Sequence, residues 1–303
     1  LLSGNENPFR KDAIRRHKEK LIEEGDIGKN VELFFDERTQ KIDYREPKNE
    51  VAEFPFGGGF HNSPVTIYEE PLPNQPFEMA VGGHDGYKQA QANSDSVGSF
   101  VIVNSLTERV VASYHSRPDP PNEFSEQGRL LLELYNAPLF MENEDMAFKE
   151  YTDRLEITDE YILKSVDFLG DVNFDYNEKR KYGWQPTAKN KSFLFGNMLN
   201  ILNAPEEYED KDGNIRTRYK FERLVKDIRL LDEMMNYSKD GNFDGLTALM
   251  SAYGYIYYLT VTGQLAKKPP TEEEKANREK IIAKKKARVR RRGLFPKERK
   301  RRL

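Results

Sequence analysis

Hydrophobic positions in this chain come mainly as short runs between polar, Gly-rich and Pro-rich stretches, the pattern of strands joined by loops, with a few longer segments at helical spacing. Met79-Ala80-Val81 predicts the start of a buried strand, and Gly82 and Gly83 let that backbone pass close to another element before Asp85 emerges at the strand end, facing a cleft. Phe100-Val101-Ile102-Val103 and Arg109 to Tyr114 predict two more strands, so the three form a meander whose first member carries the acid. Upstream, Lys11 to Glu24 predicts a charged helix with Ile14, Leu21 and Ile22 as a thin apolar stripe, ended by Gly25. Val31 to Phe35 and Lys41 to Tyr44 predict a hairpin, and Val65 to Tyr68 a short strand.

Downstream of the meander, Pro118, Pro120 and Pro121 break the chain, and Asn122 is the expected N-cap of a helix through Tyr135 that buries Phe124, Leu131, Leu132, Leu134 and Tyr135. Ala137 to Glu142 predicts a second strand ending in a carboxylate. A strand-helix-strand connection of this length makes parallel neighbours, which brings Glu142 to the sheet edge that carries Asp85. Met146 to Leu155, Lys189 to Leu202 and Phe221 to Met235 predict helices, with a hairpin turning at Asp212-Gly213. Asp210, Asp212 and Asn214 also mimic the start of a calcium loop, but Phe221 stands at the twelfth place where Glu is needed, so a simple turn is the better reading. Asp244 opens a last helix that runs apolar to Leu259; for a single acid there, helix capping is the plainer role. It is not single: a strand-end Asp, a strand-end Glu and a helix-start Asp, in that order, are what a carboxylate cluster holding two divalent ions requires.

Composition narrows the chemistry. Of 303 residues 37% are hydrophobic, low for one compact domain, so part of the chain is expected to be extended: a lead-in over 1–76, a body over 77–265 and a tail over 266–303. No apolar run approaches a membrane span and no secretion signal opens the chain, so a soluble, intracellular protein is expected. With no cysteine and four histidines, any metal must be held by carboxylates, which favours Mg2+ or Mn2+. Gly57-Gly58-Gly59 suggests a phosphate loop, but the required Gly-Lys-Ser/Thr ending is nowhere in the chain, which argues against an ATP site. The net charge of −3 hides an asymmetry: from Lys275 onward 15 Lys and Arg face only Glu279 and Glu298, a net +13, leaving −16 on residues 1–274. Charge repulsion in Lys284-Lys285-Lys286 and Arg288 to Arg292 predicts a tail disordered without a partner.

Between Ile67 and Leu259 the chain resembles the C-terminal nuclease domain of phage large terminases. Ile67-Tyr68-Glu69-Glu70-Pro71 with Met79 to Asp85 looks like that family's entry strand and first catalytic Asp, Ala137 to Asn143 like its apolar-Glu-Asn motif, and Phe243-Asp244-Gly245-Leu246-Thr247-Ala248-Leu249 like its last motif. Two departures stand out: Gly245 replaces the second acid of that last motif, and His84-Asp85-Gly86 lacks the commoner Asp-Pro. The resemblance implies an α/β, ribonuclease H-like mixed sheet flanked by helices over 77–265, and metal-dependent hydrolysis of double-stranded DNA. It implies Asp85 bridging two ions, Glu142 and Asp244 each favouring one, and Asp95 as an auxiliary acid. Lys189 and Lys191 either contact the scissile strand or form a solvated helix start, and the basic tail, with Arg288, Arg290, Arg291 and Arg292, is expected to meet DNA or an acidic partner. The resemblance further implies portal and other terminase subunits as partners in the host cytoplasm. Other readings are a catalytically inactive DNA-binding or portal-docking module, or a resolvase-like nuclease of the same fold. With no ATPase motif, the chain is expected to be a fragment or a processed form. His84 is expected to be a packed or exposed neighbour and not a ligand.

Overall fold

The computed structural model describes residues 7–47, 63–87, 97–118, 120–143, 146–165, 182–210, 212–238, 241–263 and 265. In chain order they form α1 (Lys11–Glu24), β1 (Lys29–Asp36), β2 (Lys41–Arg45), β3 (Val65–Ile67), β4 (Ala80–Asp85), β5 (Gly98–Asn104), β6 (Val110–Ser116), α2 (Pro121–Leu134), β7 (Leu139–Met141), α3 (Met146–Leu155), α4 (Thr158–Tyr161), α5 (Ala188–Leu202), β8 (Pro205–Glu209), β9 (Ile215–Tyr219), α6 (Phe221–Leu224), α7 (Ile228–Asn236) and α8 (Asp244–Val261).

The expected meander is present: β5 runs antiparallel to β4 on one side and to β6 on the other. β7 lies parallel to β4 on its far side, the arrangement that the α2 crossover dictates. Antiparallel pairing of β6 with β3, β3 with β1 and β1 with β2 completes a seven-stranded sheet among the described residues, in the order β2-β1-β3-β6-β5-β4-β7. The stretch expected to be a loose lead-in over 1–76 therefore supplies three strands, and Val31, Leu33, Val65 and Ile67 are buried by them. A meander with a parallel fourth strand beside its first, covered by helices, is an α/β, ribonuclease H-like architecture.

Alternation sorts the two faces of the sheet. Val81, Val101, Val103 and Phe140 pack on the side of α5, α7 and α8, while Ala80, Phe100, Ile102, Leu139 and Met141 pack with Leu131 and Leu132 of α2 and Phe148 of α3. The glycine pair of β4 serves both contacts. A Cβ on Gly83 would stand 1.8 Å from the Ala248 carbonyl oxygen of α8, and one on Gly82 2.6 Å from Leu132 Cδ2 of α2, so β4 fits between the helices only without side chains there. Trp184 sits beside β7, its N–H donating to the Met141 carbonyl at 2.9 Å.

Three local expectations are corrected. α2 starts two residues earlier than an Asn122 cap allows, with Pro120 at the cap and Pro121 in its first turn, where a missing N–H costs nothing. Ile22 is 54% exposed, and His17 takes the inward place instead, its Nε2 bonding the Val225 carbonyl at 2.9 Å. The segment from Phe221 to Met235 is not one helix: it breaks after Leu224, and Asp227 starts α7 by accepting from Arg229 N and Leu230 N. The β8–β9 hairpin forms as expected, with Asp210 accepting from the backbone of Asp212 and Asn214. Gly57 to Gly59 and the tail from 266 lie outside the described residues.

Candidate active site

Asp85 is the last residue of β4 and Glu142 the first after β7. The parallel register pairs Gly82 with Leu139, Gly83 with Phe140 and His84 with Met141, which makes Asp85 and Glu142 the next rung. Gly83 and Phe140 face α8, so alternation puts both acids on that face at the C-terminal ends of neighbouring strands. Asp244 opens α8 on the same face; it is 5% exposed, and its Oδ2 accepts from Val97 N at 3.0 Å. The three predicted acids thus share one face and one end of the sheet. Their carboxylates do not close on a point: among the described residues no three His, Cys, Asp or Glu side chains are placed to hold one metal ion.

Glu142 is held from behind. Asn143 N donates to the Trp184 carbonyl at 2.9 Å, and the Trp184 indole N–H donates to Ser251 Oγ of α8 at 2.9 Å, so strand and helix are pinned together next to the acid. In front of it stands Lys191 of α5, its Nζ 3.2 Å from Glu142 Oε1. Thr187 caps α5 by accepting from Asn190 N, which fixes the helix start that presents this lysine. Lys189 lies exposed on the same first turn. His84 points the other way, stacked 4.3 Å from Phe100 and edge-on to Phe148. Asp95, Arg288, Arg290, Arg291 and Arg292 lie outside the described residues.

The structure adds four polar residues that the sequence reading missed. Ser99 stands opposite Asp85 in the β4–β5 register, and His115 opposite Ser99 in the β5–β6 register. His115 Nδ1 bonds Ser99 Oγ at 2.9 Å and its Nε2 bonds Asp227 Oδ2 at 2.8 Å. Burial pushes the Asp227 carboxyl up, but the charge and hydrogen bond of His115, with further donors, outweigh it and hold it down at about 2. Glu233 of α7 accepts from Gly245 N at 3.2 Å and Leu246 N at 2.8 Å, the open N–H groups at the start of α8. Desolvation is the main cause that raises the Glu233 pKa, only partly offset by Arg229. A Cβ on Gly245 would lie 3.0 and 3.1 Å from the Glu233 oxygens, so this carboxylate fills the space beside the residue where the resembled motif carries its second acid. Only spatial proximity reveals these four; no sequence spacing links them.

Fold and site together define the class: a ribonuclease H-like α/β chain with acids gathered at one sheet end. No protein-family model matches the sequence, and no curated protein matches it significantly. Among solved structures, the chain is similar to the large terminase nuclease from thermophilic phage G20c with bound magnesium, at 14% identity and a TM-score of 0.35, over 64% of this chain and 89% of that one. It is similar to the same nuclease with bound zinc at 13% identity, TM-score 0.41, over 64% and 90%. The Thermus phage P74-26 large terminase nuclease domain gives 16% identity, TM-score 0.31, over 62% and 84%. At these values the fold rests on the strand order and directions above.

Proposed function

We propose that this chain is the metal-dependent endonuclease domain of a viral DNA-packaging terminase, cutting concatemeric double-stranded DNA during packaging in the host cytoplasm. The observation that carries the reading is the β4–β7 register, which sets Asp85 and Glu142 side by side on the face where α8 presents Asp244. The donor set fits a hard cation: it is all carboxylate oxygen, and the Lys191 ammonium already lies against Glu142 as a cation would. Asp85, Glu142 and Asp244, with Asp95, would hold two Mg2+ or Mn2+ ions, after the side chains draw together. Bound there, such ions would ease deprotonation of a water and steady the leaving oxygen. The chain's own contribution is placement: Trp184 and α8 fix the Glu142 strand end, Val97 N orients Asp244, and Lys191 with Lys189 neutralises the backbone phosphates of the entering strand. The Asn143 Nδ2 group, buried with no hydrogen-bond partner among the described residues, is a further donor for a water or a phosphate oxygen. Arg288, Arg290, Arg291 and Arg292 would engage DNA or an acidic portal or terminase subunit.

Plasmid nicking with Mn2+ tests the reading. Asp85→Asn removes the carboxylate assigned to both ions and is expected to abolish nicking, while its strand-end position leaves the fold intact. Full cleavage by a folded Asp85→Asn protein would overturn the assignment. A second reading, a catalytically inactive DNA-binding module, draws on the Lys191–Glu142 ion pair and on the fact that among the described residues no three acids are placed to hold one ion. DNA retention by the wild-type protein without cleavage would favour it.

A further inference from the structure

Ser99, His115 and Asp227 have the members of a nucleophilic triad, but Ser99 is fully buried at 0% exposure, out of reach of any substrate. Their placement suits a different task. Asp85, Ser99 and His115 form one row across β4, β5 and β6, and Asp227 ties the end of that row to the start of α7. About one and a half turns along α7, Glu233 holds the start of α8 through Gly245 N and Leu246 N. Asp244, the residue just before, returns to the sheet by accepting from Val97 N, two residues from Ser99. The hydrogen bonds therefore close a ring running from β5 through β6, α7 and α8 back to β5. Asp85 lies beside one side of it and Asp244 belongs to another.

We infer that this ring sets the separation between Asp85 and Asp244, and that His115 and Ser99 are positioning residues of the site, acting through the backbone and through Asp227 and Glu233. The ring's links are short, directional and shielded from water, since Ser99, His115, Asp227 and Asp244 are all buried. With Asp227 a carboxylate, His115 Nε2 carries a proton and donates to it, which fixes the ring orientation that Ser99 meets at Nδ1. Nothing else described bonds the Ser99 hydroxyl, so its removal breaks the ring at one known place.

The functional consequence rests on the nuclease reading; the geometric claim does not. Mn2+ titration by calorimetry on the full chain, with thermal melts in parallel, tests the first. Ser99→Ala is expected to weaken Mn2+ binding about tenfold and His115→Ala by about ten- to a hundredfold, the loss typical of groups that orient metal ligands. His115→Gln, which keeps one of the two bonds, should fall between wild type and His115→Ala. A folded Ser99→Ala protein with wild-type Mn2+ affinity and an unchanged melt overturns the inference. Crystal structures of wild type and Ser99→Ala test the second whether or not metal binds. The Asp85–Asp244 separation is expected to change by about 1 Å, a displacement on the scale that matters for catalysis. An unchanged separation overturns the inference as well. If the wild type takes up no Mn2+, the nuclease reading fails, and the ring is judged on that separation alone. Ser99→Ala deletes a single oxygen, so it keeps the test open should His115→Ala not fold.

Discussion

At the residue scale, Asp244 and Asp227 share a chemistry but not a role. Asp244 stands at the proposed site and is held by Val97 N, so Asp244→Asn is expected to approach the nicking defect of Asp85→Asn, whereas Asp95→Asn should be milder. The reverse order would show that the last motif is misplaced. Asp227 serves the fold. Its carboxyl is held at about 2 against an ordinary 3.8, so its stabilisation is fully present above that ordinary value and is lost as pH falls toward about 2. The shift corresponds to roughly 2 kcal/mol. Urea midpoints measured between about pH 5 and pH 2 should therefore fall less steeply for Asp227→Asn than for the wild type, with the variant already less stable at the upper end.

At the scale of elements, the contact between β4 and α8 is the one the site depends on. Gly83 admits the Ala248 carbonyl at a distance no side chain tolerates, and Asp85 closes that strand while Asp244 opens that helix. Gly83→Ala is expected to force strand and helix apart, costing about 1–3 kcal/mol or more and lowering Mn2+ affinity as well. Denaturant midpoints together with Mn2+ titration check both effects; a Gly83→Ala protein of wild-type stability would contradict the packing described. The glycine pair was legible in the sequence because close approach is what paired glycines in an apolar run provide. The break in the Phe221 to Met235 helix was not, because its apolar spacing reads as one amphipathic stripe. The side chain of Asp227 wins there by capping α7 and meeting His115, a partner 112 positions away in the chain.

At the scale of the whole molecule, charge is divided between a basic tail and an acidic remainder. A chain carrying −16 over residues 1–274 repels DNA at long range, so affinity for a polyanion must come from locally placed cations. The proposed contacts are Lys191, Lys189 and the segment from Lys275, which carries 15 Lys and Arg. Truncation after Gln264 is expected to flatten the dependence of DNA affinity on salt, since each lost phosphate contact removes roughly 0.9 from the slope, while Mn2+ binding stays unchanged. Filter binding across a salt series checks this. If the truncated protein keeps both affinity and slope, the tail serves a protein partner, and a pull-down against portal protein decides.

Local pattern alone determined the meander, the parallel β7 strand and the order of the three acids, because alternation, glycine placement and crossover length act over short stretches of chain. It also placed Asp85 and Glu142 on one sheet edge, since a parallel neighbour leaves few registers. Tertiary structure decided the rest. The hydrophobic alternation of Val31, Leu33, Val65 and Ile67 is short and interrupted by polar residues, and only pairing with β6 shows that it belongs to the sheet. Ser99, His115, Asp227 and Glu233 carry no motif; each is an ordinary polar residue until folding excludes water around it and leaves the others as its partners.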